Sequence, residues 1–188
     1  RHDFDLFCHL GDISYNDDAY DRPTYDGAWA TTLGDAGYRA VLPRAAFLPA
    51  FDDHEIADNV LWDELSVEHY EAGLAALVDH LPLDGQPGDR LWASYRWGET
   101  AEIFLLDSRT ERVPEEKVYL SETQLQWLLD GLSSSPCHFK VILTSAPITR
   151  FPAGWPGFGD RWEGYADQRN ALLDHITESG VQGVWFLT

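Results

Sequence analysis

Two short apolar runs constrain this chain most: residues 4–10 and 47–51 each stop abruptly in acids, Asp12 in the first case and Asp52-Asp53 in the second. Runs of this length suit strands better than buried helices, and acids directly after a strand belong where a sheet edge opens into a cleft. The first run is nearly continuous in apolar residues, which predicts a central strand covered on both faces. Pro49 inside the second predicts an irregular or edge position.

Strand and helix patterns then alternate. Val67, Tyr70, Leu74, Leu77 and Val78 predict a helix over 67–79, with Ser66 as N-cap and Pro82 beyond its end. Residues 91–97 and 101–107 flank Gly98-Glu99-Thr100 as a β-hairpin. Ser121-Glu122-Thr123-Gln124 has the capping-box pattern, and Leu125, Leu128, Leu129 and Leu132 form one helical stripe behind it. Residues 139–143 read as a strand, 147–164 as a Gly-, Pro- and Trp-rich loop suited to a cleft wall, and 181–187 as a final buried strand. Tyr165, Arg169, Leu172, Leu173 and Ile176 fit a helix ended by Gly180. The acidic, aromatic stretch 16–37 shows no clean period and is expected to be an ordered loop with a short helix.

At 188 residues one domain is the simplest organisation, with 44% hydrophobic and 24% charged residues. Asp plus Glu outnumber Lys plus Arg by 32 to 13; the net charge of −19 disfavours nucleic-acid duplexes and anionic membranes, and bound cations would relieve it. An aromatic content of 13% argues against a disordered acidic tail. No apolar run reaches the roughly 18 residues of a transmembrane helix. Cys8 and Cys137 are too few for a disulfide framework and are expected to be structural. The chain begins and ends as though inside strands, so it reads as cut at both ends from a longer protein.

Asp12, Tyr15 and the Asp52-Asp53-His54-Glu55 segment could carry chemistry. Asp12 and Tyr15 are three apart, so they converge on one ion only if the chain turns after Asp12, which Gly11 makes plausible. A tyrosine ligates well as phenolate, and lowering its pKa from about 10 takes a strongly charged metal, ferric iron above all. The bland reading is that Asp12 caps a turn and Tyr15 packs in the core. At the second strand end one aspartate can bind metal while His54 faces substrate; alternatively Asp52 or Asp53 caps the following turn. Asp17, Asp18 and Asp21 lack the Gly and distal Glu of an EF-hand and read as a solvated loop. Arg109 fits either a phosphate contact or a salt bridge to the adjacent acid, and Ser145 lacks a nucleophile elbow.

Taken together, these motifs resemble the PhoD-like (alkaline phosphatase D) branch of the calcineurin-like metallophosphatases. The resemblance rests on His9-Leu10-Gly11-Asp12-Ile13-Ser14-Tyr15, Phe51-Asp52-Asp53-His54-Glu55, Phe104-Leu105-Leu106-Asp107-Ser108-Arg109-Thr110, the Ser121 to Leu128 stretch and Trp162-Glu163-Gly164-Tyr165. It implies an α/β fold: a metallophosphatase-type β-sandwich of mixed sheets flanked by helices. Residues 1–188 would be part of a single catalytic domain.

In that family Asp12 would bridge two metals, Tyr15 would bind ferric iron, Asp53 would be a further ligand and His54 would act on the substrate. The resemblance implies Fe3+ with Ca2+, or Mn2+ or Zn2+ in related branches. It implies hydrolysis of phosphate monoesters or diesters in small molecules, nucleotides or phospholipid head groups, outside the cytoplasm. The family's upstream aspartate and cysteine ligands and its downstream Gly-Asp-x-His would lie beyond this sequence, and Cys8 does not replace them. A different class of function, a non-catalytic cation- or partner-binding descendant of the same fold, remains the alternative.

Overall fold

The short strands pair as parallel ladders wherever a helix separates them, because only a crossover returns the chain in the same direction. The computed structural model describes residues 3–59, 61, 64–84, 89–150 and 157–188. It divides into two compact units, one ending at Leu91 and one beginning at Trp92. The stretch 151–156 of the expected cleft-wall loop lies outside the described residues.

In the first unit, β1 (Leu6–Leu10) pairs in parallel with β2 (Ala46–Ala50), Leu10 opposite Ala50 and Pro49 opposite His9. With one partner strand among the described residues, β1 is half-buried along its length rather than covered on both faces. Between them run α1 (Arg22–Leu33) and α2 (Ala36–Val41), and α3 (Val67–His80) follows. The expected short helix is thus a three-turn helix and a second short one. Asp21 caps α1 reciprocally with Thr24, and Pro23 sits in the first turn. Tyr25, Trp29 and Leu33, four residues apart, form its inward stripe, and they pack with Leu74, Leu77 and Phe51 into the unit's core. Each such buried side chain contributes roughly 1.5–3 kcal/mol. Ser66 caps α3 by accepting the His69 N–H.

In the second unit one sheet has the order β3-β4-β5-β6. The hairpin of β3 (Ala93–Trp97) and β4 (Ala101–Leu105) turns at Gly98, whose φ is 57°. Parallel pairings to β5 (Phe139–Leu143) and β6 (Val184–Leu187) use α4 (Glu122–Ser134) and α5 (Ala166–Glu178) as crossovers. Phe104, Leu128, Leu132, Ile142, Trp162 and Leu172 make the core. β6 differs from the expected buried strand: it lies at the sheet's end, with Trp185 57% exposed. At α4 only half of the expected capping box forms. Ser121 accepts the Gln124 N–H, but the Gln124 side chain instead holds both the N–H and the C=O of Asp107, each at 3.0 Å.

Candidate metal centre

The register Leu10 opposite Ala50 determines where the acids fall, since Asp12 and Asp52 each come two residues after that pair. Neighbouring parallel strands lie about 4.8 Å apart, so side chains leaving both ends at the same edge meet. Asp12, Asp52 and Asp53 each offer an oxygen, and the three lie within 4.8 Å of one another. Three carboxylates that close repel strongly, and a hard cation among them relieves the repulsion. The donor set therefore fits an oxygen-seeking metal ion.

The chain enters this site through a left-handed turn. Gly11 has φ 111° and Asp12 φ 54°, a region costly for most side chains but tolerated by aspartate. The turn falls at Gly11-Asp12 and brings Tyr15 back, so that its hydroxyl lies 3.4 Å from Asp12 Oδ2. Tyr15 is 65% exposed, not a core residue. The Asp12 charge, ahead of burial and of Glu55 and Asp17, raises its phenol above the ordinary value, so a phenolate here calls for a strong positive charge.

On the other side, Asp53 is buried and its Oδ2 accepts the Asn59 N–H at 2.6 Å. Asp53 thus stays the following turn, as one reading of the sequence expects, and also stands in the carboxylate group. Asp53 also belongs to a second group of possible ligands with His54 and Asp58. The His54 ring lies 4.2 Å from that of Tyr15, and its Nδ1 is 2.8 Å from Asp17 Oδ1. Burial disfavours the charged imidazole, but the Asp17 hydrogen bond and the Asp53, Asp17 and Asp12 charges outweigh it and raise the His54 pKa.

Glu55 ties the two loops together. Its carboxylate accepts the backbone N–H groups of Ile13, of Ser14 at 3.2 Å and of Asp52 at 2.6 Å. Asn16 adds two more ties: its N–H reaches the His54 carbonyl at 2.8 Å and its Nδ2 the Glu55 carbonyl at 2.9 Å. Burial pushes the Glu55 carboxyl up to about 7 against the pull of its three N–H donors, and Asp12 adds to the rise. Sequence reasoning singled out the segment containing Glu55 without giving that residue a role, read Asp17 as part of a solvated loop and passed over Asn16, because their partners lie about 40 residues away.

In the second unit, Arg109 pairs with Asp160 at 2.6 Å. Asp107 spends its Oδ1 on the N–H groups of Arg109 and Thr110. The Ser145 hydroxyl meets that of Ser108 at 2.8 Å. Cys8 is half-buried on β1 and Cys137 buried, both as thiols.

A family model described as PhoD-like phosphatase matches residues 1–188. The chain belongs to the PhoD-like phosphatase family. It is 25% identical to alkaline phosphatase D of Bacillus subtilis (strain 168), over 98% of this chain and 40% of that protein. A solved structure of PhoD superposes with a TM-score of 0.85 at 22% identity, covering 100% of this chain and 46% of that one. That likeness gives the PhoD-like chain its fold, mixed sheets with flanking helices. The chain spans less than half the length of either relative. No helix among the described residues is long and apolar enough to cross a membrane.

Proposed function

We propose that this segment carries part of the centre of a metal-dependent phosphoric ester hydrolase, acting on phosphate monoesters or diesters. The observation that supports it most is the convergence of Asp12, Asp52 and Asp53 beside the His54 imidazole. Family membership and the likeness to an alkaline phosphatase D point the same way. Both compact units would belong to one catalytic domain.

In this reading Asp12, Asp53 and Tyr15 would hold the cations, Asp12 as a shared ligand, Asp53 as a ligand to one and Tyr15 as the ligand for the ferric ion of an Fe3+ and Ca2+ pair, with Mn2+ or Zn2+ as substitutes. When bound, such cations draw charge from the phosphoryl oxygens and acidify the attacking water. His54 sits beside the carboxylates as the group that hydrogen-bonds the departing oxygen. Glu55 and Asn16 hold the two loops in register so that these side chains meet. The substrate is a small molecule, nucleotide or phospholipid head group rather than a duplex, whose phosphates the charge of −19 would repel. The family resemblance supports action outside the cytoplasm.

The test is elemental analysis of the intact protein together with phosphomonoesterase and phosphodiesterase assays on the wild type, Asp53→Ala and His54→Ala. Asp53→Ala lowers both metal content and turnover, whereas His54→Ala lowers turnover and spares the metal. Full activity in Asp53→Ala would sink the ligand assignment. Metal binding without ester hydrolysis in the wild type would favour a cation-binding module of the same fold.

A further inference from the structure

His54 is flanked by two acids at its two ring nitrogens. Asp17 Oδ1 lies 2.8 Å from Nδ1, a hydrogen bond, while Asp58 Oδ1 lies 3.6 Å from Nε2, beyond one. Asp58 is four residues along the same turn, with 56% of its side chain exposed. Asp17 comes instead from the loop that carries Asp12 and Tyr15, and its backbone there is pinned. The Asn16 N–H donates to the His54 carbonyl, Asn16 Nδ2 to the Glu55 carbonyl, and the Ala19 N–H to the Asn16 carbonyl, at 2.8–2.9 Å. The residue after Asn16 therefore has a backbone position set by the residue it serves.

An imidazole on its own rotates easily, because its second side-chain torsion is broad and two-fold, and a half-turn exchanges the two nitrogens. A carboxylate on one nitrogen removes that freedom and selects which nitrogen is left for other partners. We propose that Asp17 is the positioning residue of His54: it takes the Nδ1–H and so leaves Nε2 as the nitrogen presented to the ester's leaving oxygen. Tyr15, whose ring lies against the imidazole at 4.2 Å and 37°, limits tilting of the same ring. The proposal rests on the ester-hydrolase reading above for what Nε2 meets, and on the geometry alone for the Asp17–His54 bond.

The experiment uses the full-length protein as wild type, Asp17→Ala, Asp17→Glu, His54→Ala and the Asp17→Ala/His54→Ala double variant. In the wild type, a nitrogen–proton correlation spectrum of the imidazole shows a protected Nδ1–H on His54, and Asp17→Ala loses it. With a nitrophenyl phosphate mono- or diester, Asp17→Ala lowers kcat about 10- to 100-fold, with KM and metal content unchanged. Asp17→Glu recovers part of the loss. The double variant is no slower than His54→Ala, since a residue acting through another has no effect once that residue is gone. Absence of the Nδ1–H signal in the wild type overturns the proposal whatever the activity. So does metal loss in Asp17→Ala, an unchanged kcat, or an equal slowing by Asp17→Ala with and without His54. If the wild type shows the Nδ1–H bond but hydrolyses neither ester, the hydrolase reading fails, and with it the role of Nε2 on a leaving oxygen.

Discussion

The Glu55 carboxylate accepts the Ile13 backbone N–H across a sequence separation of 42 residues, and this bond joins the two acid-bearing loops of the candidate centre. Ser14 and Asp52 use the same carboxylate. Three backbone donors from two loops thus converge on one fully buried side chain, and the positions of Asp12, Asp52 and Asp53 depend on it.

Replacing Glu55 by Gln turns an NH2 group toward at least one of these N–H donors. A buried donor left without its acceptor costs roughly 1–3 kcal/mol. Glu55→Gln is expected to lower unfolding stability by about that amount and to reduce bound metal in the intact protein. Denaturant melts with elemental analysis check it; unchanged metal content would show that the loops hold their register without the clamp.

The same carboxyl makes stability depend on pH when metal is removed. Its pKa in the fold is about 7 against 4.5 in a free chain, so the folded state holds the proton more tightly. The contribution is fully present below pH 4.5 and is lost as pH rises through about 7. Chelated protein is therefore expected to lose stability over that interval, by roughly 3 kcal/mol at most. Glu55→Gln flattens this fall. Melts of both forms over the interval measure it.

Gly73 on α3 lies where a Cβ would come within 2.9 Å of Ile56 Cγ2 and 3.0 Å of the Tyr25 ring. Tyr25 in turn donates its hydroxyl to the Ile56 carbonyl at 2.8 Å, just after Glu55. Gly73→Leu overfills this contact and is expected to cost about 1–3 kcal/mol or more. Gly73→Ala costs less, because it adds one methyl group where leucine adds four carbons, while regaining about 1 kcal/mol of helix propensity. Thermal melts that rank the two equal would count against the close approach.

In the second unit, Gln124→Ala removes the partner of both the Asp107 N–H and its C=O, along with a 2.7 Å bond to Glu111. The expected loss is roughly 2–4 kcal/mol, about one buried polar group left unsatisfied on each side. Ser121→Ala, which removes only the α4 cap, costs about 1 kcal/mol. Denaturation of the two variants should separate them in that order.

Local chemistry determined much of this protein before any folding was considered. The apolar runs set β1, β2 and β5, the Ser66 and Ser121 caps set the starts of α3 and α4, and Gly98 set the hairpin turn, because periodicity and hydrogen bonds three residues apart act within one segment. The stripe of Tyr25, Trp29 and Leu33 was there to be read as well, but a single four-residue repeat among scattered acids is a weak pattern. Which residues meet was decided only by tertiary structure. The parallel register of β1 and β2 put Asp12 beside Asp52 and Asp53, turned Glu55 inward beneath both loops, and gave His54 the carboxylate of Asp17. Pairs separated by about 40 residues leave no mark on local spacing. They form because strand pairing fixes the ends of two distant segments at one edge, where buried donors must find acceptors.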